Sequence, residues 1–85
     1  MVILLAGGAG YIGSHTAVEL INAGYGVVIA DNYSNSSEEA VRRIGELTNR
    51  DVTAYETDVC DKADILRIMT THRIDCVIHF AGIRI

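Results

Sequence analysis

Val2-Ile3-Leu4-Leu5-Ala6-Gly7-Gly8-Ala9-Gly10-Tyr11-Ile12-Gly13 is an apolar run that stops abruptly at glycines, which lead into a segment with helical spacing. Strand, tight turn and helix N-terminus in that order form a cradle for a pyrophosphate. Two spacings are satisfied at once, Gly8-x-Gly10-x-x-Gly13 and Gly7-x-x-Gly10-x-x-Gly13. Gly7 and Gly8 permit backbone angles that other residues resist. Gly10 has no Cβ, so a phosphate can approach the backbone, and Gly13 lets the helix pack closely on the strand. The helix then directs its unpaired N–H groups and the positive end of its dipole at the anion.

The context strengthens a motif that is weak alone. Residues 2–6 are wholly apolar, as a parallel strand buried on both faces should be. Residues 11–23 read as a helix with Ile12, Val18, Leu20 and Ile21 as its apolar positions and Gly24 as its stop. A second apolar run, Val27-Val28-Ile29-Ala30, ends at Asp31, 18 residues past Gly13. A dinucleotide-binding βαβ unit places its ribose acid at about this distance. A carboxylate there accepts hydrogen bonds from ribose hydroxyls and repels a 2′-phosphate, which selects NAD over NADP. The plainer alternative is that Asp31 only opens a turn.

Helix and strand alternate along the rest of the chain. Ser36 and Glu39 form a capping box for a second helix, in which Ala40, Val41, Ile44 and Leu47 recur at helical spacing. Glu38, Glu39, Arg42, Arg43 and Glu46 read as its solvated face. Residues 52–56 suit a short strand. Asp61 caps a third helix with Ile65, Leu66, Ile68 and Met69 on its inner side, and residues 76–80 form an almost wholly apolar fourth strand. The fold class is therefore α/β, βαβαβαβ. With right-handed crossovers it is half of a Rossmann-type doubly wound parallel sheet, strand order 3-2-1-4, in one domain spanning 1–85.

With 85 residues the chain buries only about 60–65% of its unfolded surface, so its stability margin is thin. The net charge of −4 is spread without a basic stripe, which argues against nucleic acid and anionic membranes as partners. Glycines cut the apolar stretches well short of a membrane span, and no signal peptide is legible. Cys60 and Cys76, sixteen residues apart with no histidine pair nearby, read as reduced, partly buried thiols rather than a metal site. His79 reads as a strand side chain, and His72 falls at a helix end that favours a cation. The cytoplasm is the expected compartment.

Gly-Gly-Ala-Gly-Tyr-Ile-Gly-Ser-His at 7–15, Asp-Asn-Tyr-Ser-Asn-Ser at 31–36 and Asp-Cys-Val-Ile-His-Phe-Ala-Gly at 75–82 closely resemble the UDP-glucose (UDP-galactose) 4-epimerase family of the extended short-chain dehydrogenases/reductases. The resemblance covers essentially the whole chain, yet only the first part of such an enzyme. It implies a truncated NAD-binding domain from an isomerase of galactose metabolism. By position it implies that Gly7, Gly10, Tyr11, Ile12 and Gly13 surround the pyrophosphate. Asp31 would hold the adenosine ribose, with Asn32, Asn35 and Ser36 at the same end. Asp58 would accept from the adenine amino group beside the Val59 backbone, unless it only caps the turn before Asp61. Phe80, Ala81 and Gly82 would approach the middle of the cofactor. Three positions depart from the family pattern: Ala6 replaces a threonine, Tyr33 a leucine, and Arg84 a lysine whose ammonium a planar guanidinium does not reproduce.

The family's chemistry implies a Tyr-x-x-x-Lys pair, which these 85 residues do not contain: His15, Ile29, Ser37 and Val59 follow the four tyrosines at that spacing. The expectation is an NAD-binding or ADP-binding module that is not an enzyme alone. The alternatives are an epimerase fragment completed in trans and a folding fragment that assembles without cofactor. Strand 76–81, internal in such a fold, is expected to form a homodimer by edge pairing or by exchange of terminal elements, unless Ile83-Arg84-Ile85 folds over the edge.

Overall fold

Strand β1, Val2–Ala6, is the axis of the molecule because every side chain it carries is apolar and two parallel strands flank it. The computed structural model describes residues 1–7, 11–32, 38–58 and 60–80, and of Tyr11 the backbone only. The remaining elements are α1 (Tyr11–Asn22), β2 (Gly26–Asp31), α2 (Glu38–Thr48), β3 (Thr53–Glu56), α3 (Lys62–His72) and β4 (Cys76–His79). The sheet is parallel in the order β3-β2-β1-β4. This is the anticipated half of a doubly wound fold, with its topological switch between β1 and β4.

Strand alternation splits the core into two layers. Ile3, Leu5 and Ile29 meet Ala17 and Ile21 of α1 and Ile44 of α2 on one face. Leu4, Val28 and Ala30 meet Ile68 of α3 on the other. Leu4, Leu5 and Ile29 are wholly excluded from solvent. Asp75 aligns the fourth strand: its carboxylate accepts from the Val2 N–H at 2.8 Å and its own N–H donates to the Val2 carbonyl at 2.9 Å. Tyr55 Oη and His72 Nε2, 2.6 Å apart, tie β3 to the last turn of α3, their rings packed edge to face.

The three helices among the described residues end the same way. Tyr25 donates to Leu20, Arg50 to Gly45 and Ile74 to Met69, each across a residue in the left-handed region: Gly24, Asn49 and Arg73, respectively. These bonds satisfy carbonyls that a helix C-terminus otherwise leaves open. Gly24, at φ +98°, suits the position without strain, whereas Arg73 adopts it despite its Cβ, its own N–H and that of Ile74 both donating to the Met69 carbonyl.

Several expectations are corrected. Leu47 and Leu66 lie on solvated faces, 73% and 65% exposed, because the buried stripes of α2 and α3 are narrower than their apolar spacing suggests. Ile12 is also exposed, and Ala17, fully buried, replaces it as a core contact. Cys60 and Cys76 are exposed rather than partly buried, since one lies in a turn and the other on an edge strand. The first helix ends at Asn22, and the third and fourth strands span 53–56 and 76–79. Ser36 and its capping box lie outside the described residues. The ion pairs of Arg42 with Glu39 and Glu46 are solvent-exposed, as the solvated-face reading requires, and contribute little.

Candidate functional site

Parallel strands deliver their C-terminal ends to one edge of the sheet, and the candidate residues follow those ends. Gly7 leaves β1 at φ +83°, a conformation that penalises any residue with a Cβ, and its N–H donates to the Ala30 carbonyl at 2.6 Å. The chain thus stays in register with β2 for one residue beyond Ala6 before it turns toward α1. Tyr11 opens α1, so the first turn of the helix lies at this same edge. Gly13 is buried within α1, while Ile12 is partly solvent-exposed.

Asp31 is the last residue of β2 and only 8% exposed. Its carbonyl accepts from the Thr57 N–H at 3.0 Å, which extends the β2–β3 ladder past Glu56. Asn32 follows it, exposed. Asp58, also exposed, sits two residues past the end of β3. Its Oδ1 accepts from the Cys60 N–H at 2.8 Å and its carbonyl from the Asp61 N–H at 2.9 Å. The turn role is therefore real, and it orients one face of the carboxylate. Phe80 ends the fourth strand's path, donating to the Ala6 carbonyl at 2.8 Å and packing beside the α1 face of the core. The backbone thus brings Gly7, Asp31, Asp58 and Phe80 to one edge. Gly8, Gly10, Asn35, Ser36, Val59, Ala81, Gly82 and Arg84 lie outside the described residues.

Sequence reasoning missed a polar chain at the same edge. Thr57, 8% exposed, donates through Oγ1 to Asp64 Oδ2 at 2.7 Å. Arg67 reaches Asp64 Oδ1 at 2.8 Å. The Thr57 hydroxyl first, and the Arg67 guanidinium second, hold the Asp64 carboxyl below its ordinary 3.8. The only local signal was Asp64 three residues after the cap Asp61, whose side chain takes the Asp64 N–H at 3.2 Å. A capping box would place Glu or Gln there to reach back; the shorter Asp turns to Thr57 instead.

A groove of ≈ 430 Å³ lies at the other edge of the sheet, between Val41, Gly45 and Asn49 of the α2 region and Val52 before β3. It shares no residue with the site. Among the described residues no cluster of His, Cys, Asp and Glu could hold a metal ion, and no helix is long and apolar enough to cross a membrane.

The model of the NAD dependent epimerase/dehydratase family matches residues 3–84. The UDP-glucose 4-epimerase of Bacillus subtilis (strain 168) is 52% identical over 84 residues, 99% of this chain and 25% of that protein. Among solved structures, the UDP-glucose-4-epimerase of Stenotrophomonas maltophila, with bound NAD and formylated UDP-arabinopyranose, superposes with a TM-score of 0.95 at 44% identity, covering 100% of this chain and 25% of that one. The Bifidobacterium longum UDP-glucose 4-epimerase, in complex with NAD+ and UDP, gives 0.94 at 45% identity, with 99% and 25% covered. The chain spans about a quarter of the length of the relatives it matches.

Proposed function

The chain belongs to the NAD dependent epimerase/dehydratase family, and from that premise we propose that it binds NAD, principally through the adenosine and pyrophosphate half. The observation that carries the reading is Asp31, nearly buried at the C-terminal end of β2 beside the left-handed Gly7 turn that feeds α1. The donor set fits the group. The turn that Gly7 opens and the backbone N–H groups over Gly10, Tyr11, Ile12 and Gly13 suit an anion, and a carboxylate at position 31 suits vicinal hydroxyls. Asn32, Asn35 and Ser36 would line the ribose end. Asp58 and Val59 would meet the adenine, using the Asp58 oxygen that the turn does not engage. Phe80, Ala81, Gly82 and Arg84 would serve the middle of the cofactor.

A 2′-phosphate would stand against the Asp31 carboxylate with too little solvent to screen it. Titration of the chain should therefore show NAD binding at least about tenfold more tightly than NADP. Equal affinities would remove Asp31 from the ribose. NAD supplies a hydride acceptor when bound; what this chain supplies is binding and orientation. Without a Tyr-x-x-x-Lys pair it lacks the base that the family resemblance implies for a sugar hydroxyl. Incubated alone with NAD and UDP-glucose, it should form no UDP-galactose above a blank, and measurable turnover would contradict this. Activity on addition of a C-terminal partner piece would favour the reading of an epimerase completed in trans.

The 85-residue chain is also proposed to pair with a second copy through β4. That strand is an edge of the sheet, with Cys76 and His79 exposed and Val77 42% exposed, and none of its four residues is lysine or proline. Such an edge invites antiparallel pairing into a continuous eight-stranded sheet. Sedimentation at high micromolar concentration should give a dimer mass, and Val77→Lys should shift it to monomer. Val77 is the informative position, because Ile78 packs against the core and its replacement would confound assembly with folding. A monomer mass for the unmodified chain would count against the pairing.

A further inference from the structure

The dinucleotide reading places Asp31 and Asp58 on one ligand, the first at the ribose and the second at the adenine, yet the first ends β2 and the second follows β3. Resting on that reading, the geometry points to Thr57 and Asp64 as positioning residues that hold these two acids in fixed relation.

The bonds form a continuous path. Thr57 donates its N–H to the Asp31 carbonyl and its hydroxyl to Asp64 Oδ2, at 3.0 and 2.7 Å. Asp64 donates its N–H to Asp61 Oδ1, and Asp61 donates its N–H to the Asp58 carbonyl, at 3.2 and 2.9 Å. Asp31 and Asp58 are thus joined through the N-terminus of α3 as well as along the backbone. Arg67, one turn further on, takes the second Asp64 oxygen and fixes the carboxylate in the orientation Thr57 needs. The Thr57 side chain is buried while Asp64 is half-exposed, so loss of the link leaves Asp64 free to take water. The expected cost therefore falls on the alignment of the site more than on the fold.

Two replacements separate positioning from a purely structural role. Thr57→Val keeps the shape and removes the hydroxyl; Thr57→Ser keeps the hydroxyl and removes the methyl. Beside a strand, in a buried position, valine is the better structural residue and serine the worse. A structural role thus ranks valine above serine. Positioning ranks them the other way in affinity. ADP is the probe, titrated calorimetrically into the 85-residue chain at a temperature where circular dichroism shows each variant folded. Thr57→Val should weaken ADP about fivefold, and Thr57→Ser should stay within about twofold of the parent. Asp64→Ala cuts the same path from its exposed end and should match Thr57→Val. The double variant should be no weaker than either single one, because one path is broken once. Should Thr57→Val fail to fold, Asp64→Ala carries the decision. If the parent binds ADP and a folded variant lacking the link binds it equally well, the positioning role is overturned while the dinucleotide reading stands. If the parent itself does not bind ADP, both are overturned.

Discussion

Asp31→Ala is expected to weaken NAD and ADP alike, by roughly ten- to a hundredfold, while leaving the fold intact. Hydrogen bonds to a charged acceptor contribute about 1.5–3 kcal/mol each, and removal of the carboxylate forfeits those to the ribose. The fold should survive because the backbone bonds that hold Asp31 to β3 do not involve its carboxylate. The Asp31 carbonyl receives Thr57, and the strand pairing of Asp31 with Glu56 is indifferent to the side chain. Asp31→Asn sharpens the reading. It keeps the volume, removes the charge and should narrow the preference for NAD over NADP even as NAD binding weakens. Calorimetric titration of both variants, with circular dichroism to verify folding, measures this. Unchanged ADP affinity in folded Asp31→Ala would show that the acid lies elsewhere than at the ribose.

Leu4→Ala should lower the melting midpoint by roughly 10 °C or more. Leu4 is wholly buried at the centre of the α3 layer, packed with Val28, Ala30 and Ile68. Its strand neighbours on both sides, Val28 and Val77, are held in register by the backbone, so the site cannot collapse to fill the space. Replacements of this kind cost about 2–5 kcal/mol. In a domain of this size each kcal/mol moves the midpoint by about 4–8 °C. Leu66→Ala is the control: Leu66 carries the same side chain at 65% exposure, and its loss should cost under about 0.5 kcal/mol. Thermal melts followed by circular dichroism compare the two. Midpoints within a degree or two of each other would contradict the layer assignment.

How much of this was legible in the sequence depends on how local each determinant is. The turn at Gly7, the strand that ends at Asp31 and the cap at Asp61 are short-range features. Each follows from a few consecutive residues, and the structure has them all. The parallel order also follows, because strands joined by helical crossovers have few arrangements open to them. Exposure was misread where it depends on neighbours. Leu47 and Leu66 satisfy a helical spacing, but the sheet beneath α2 and α3 covers only Ile44 and Ile68 completely. Cys76 reads as partly buried, yet it is exposed, because among the described residues β4 pairs with β1 alone.

The polar links escaped for the same reason. Tyr55 finds His72 seventeen residues away, and Thr57 finds Asp64, only once α3 docks on β3. No pattern along the chain marks either pair. The placement of the candidate residues was readable in outline, since they follow the strand ends in chain order. Asp58 was readable as two things at once, and the structure gives it the turn without taking away its second oxygen.

The central claim is that the adenosine half of a dinucleotide is what this chain recognises. Calorimetric titration of the 85-residue chain with ADP and with NAD tests it most directly. Gly7, Asp31 and Asp58 are all proposed to serve the part that the two ligands share, so ADP should bind within about tenfold of NAD. Failure of ADP to bind, or NAD binding more than about a hundredfold tighter than ADP, would contradict the account.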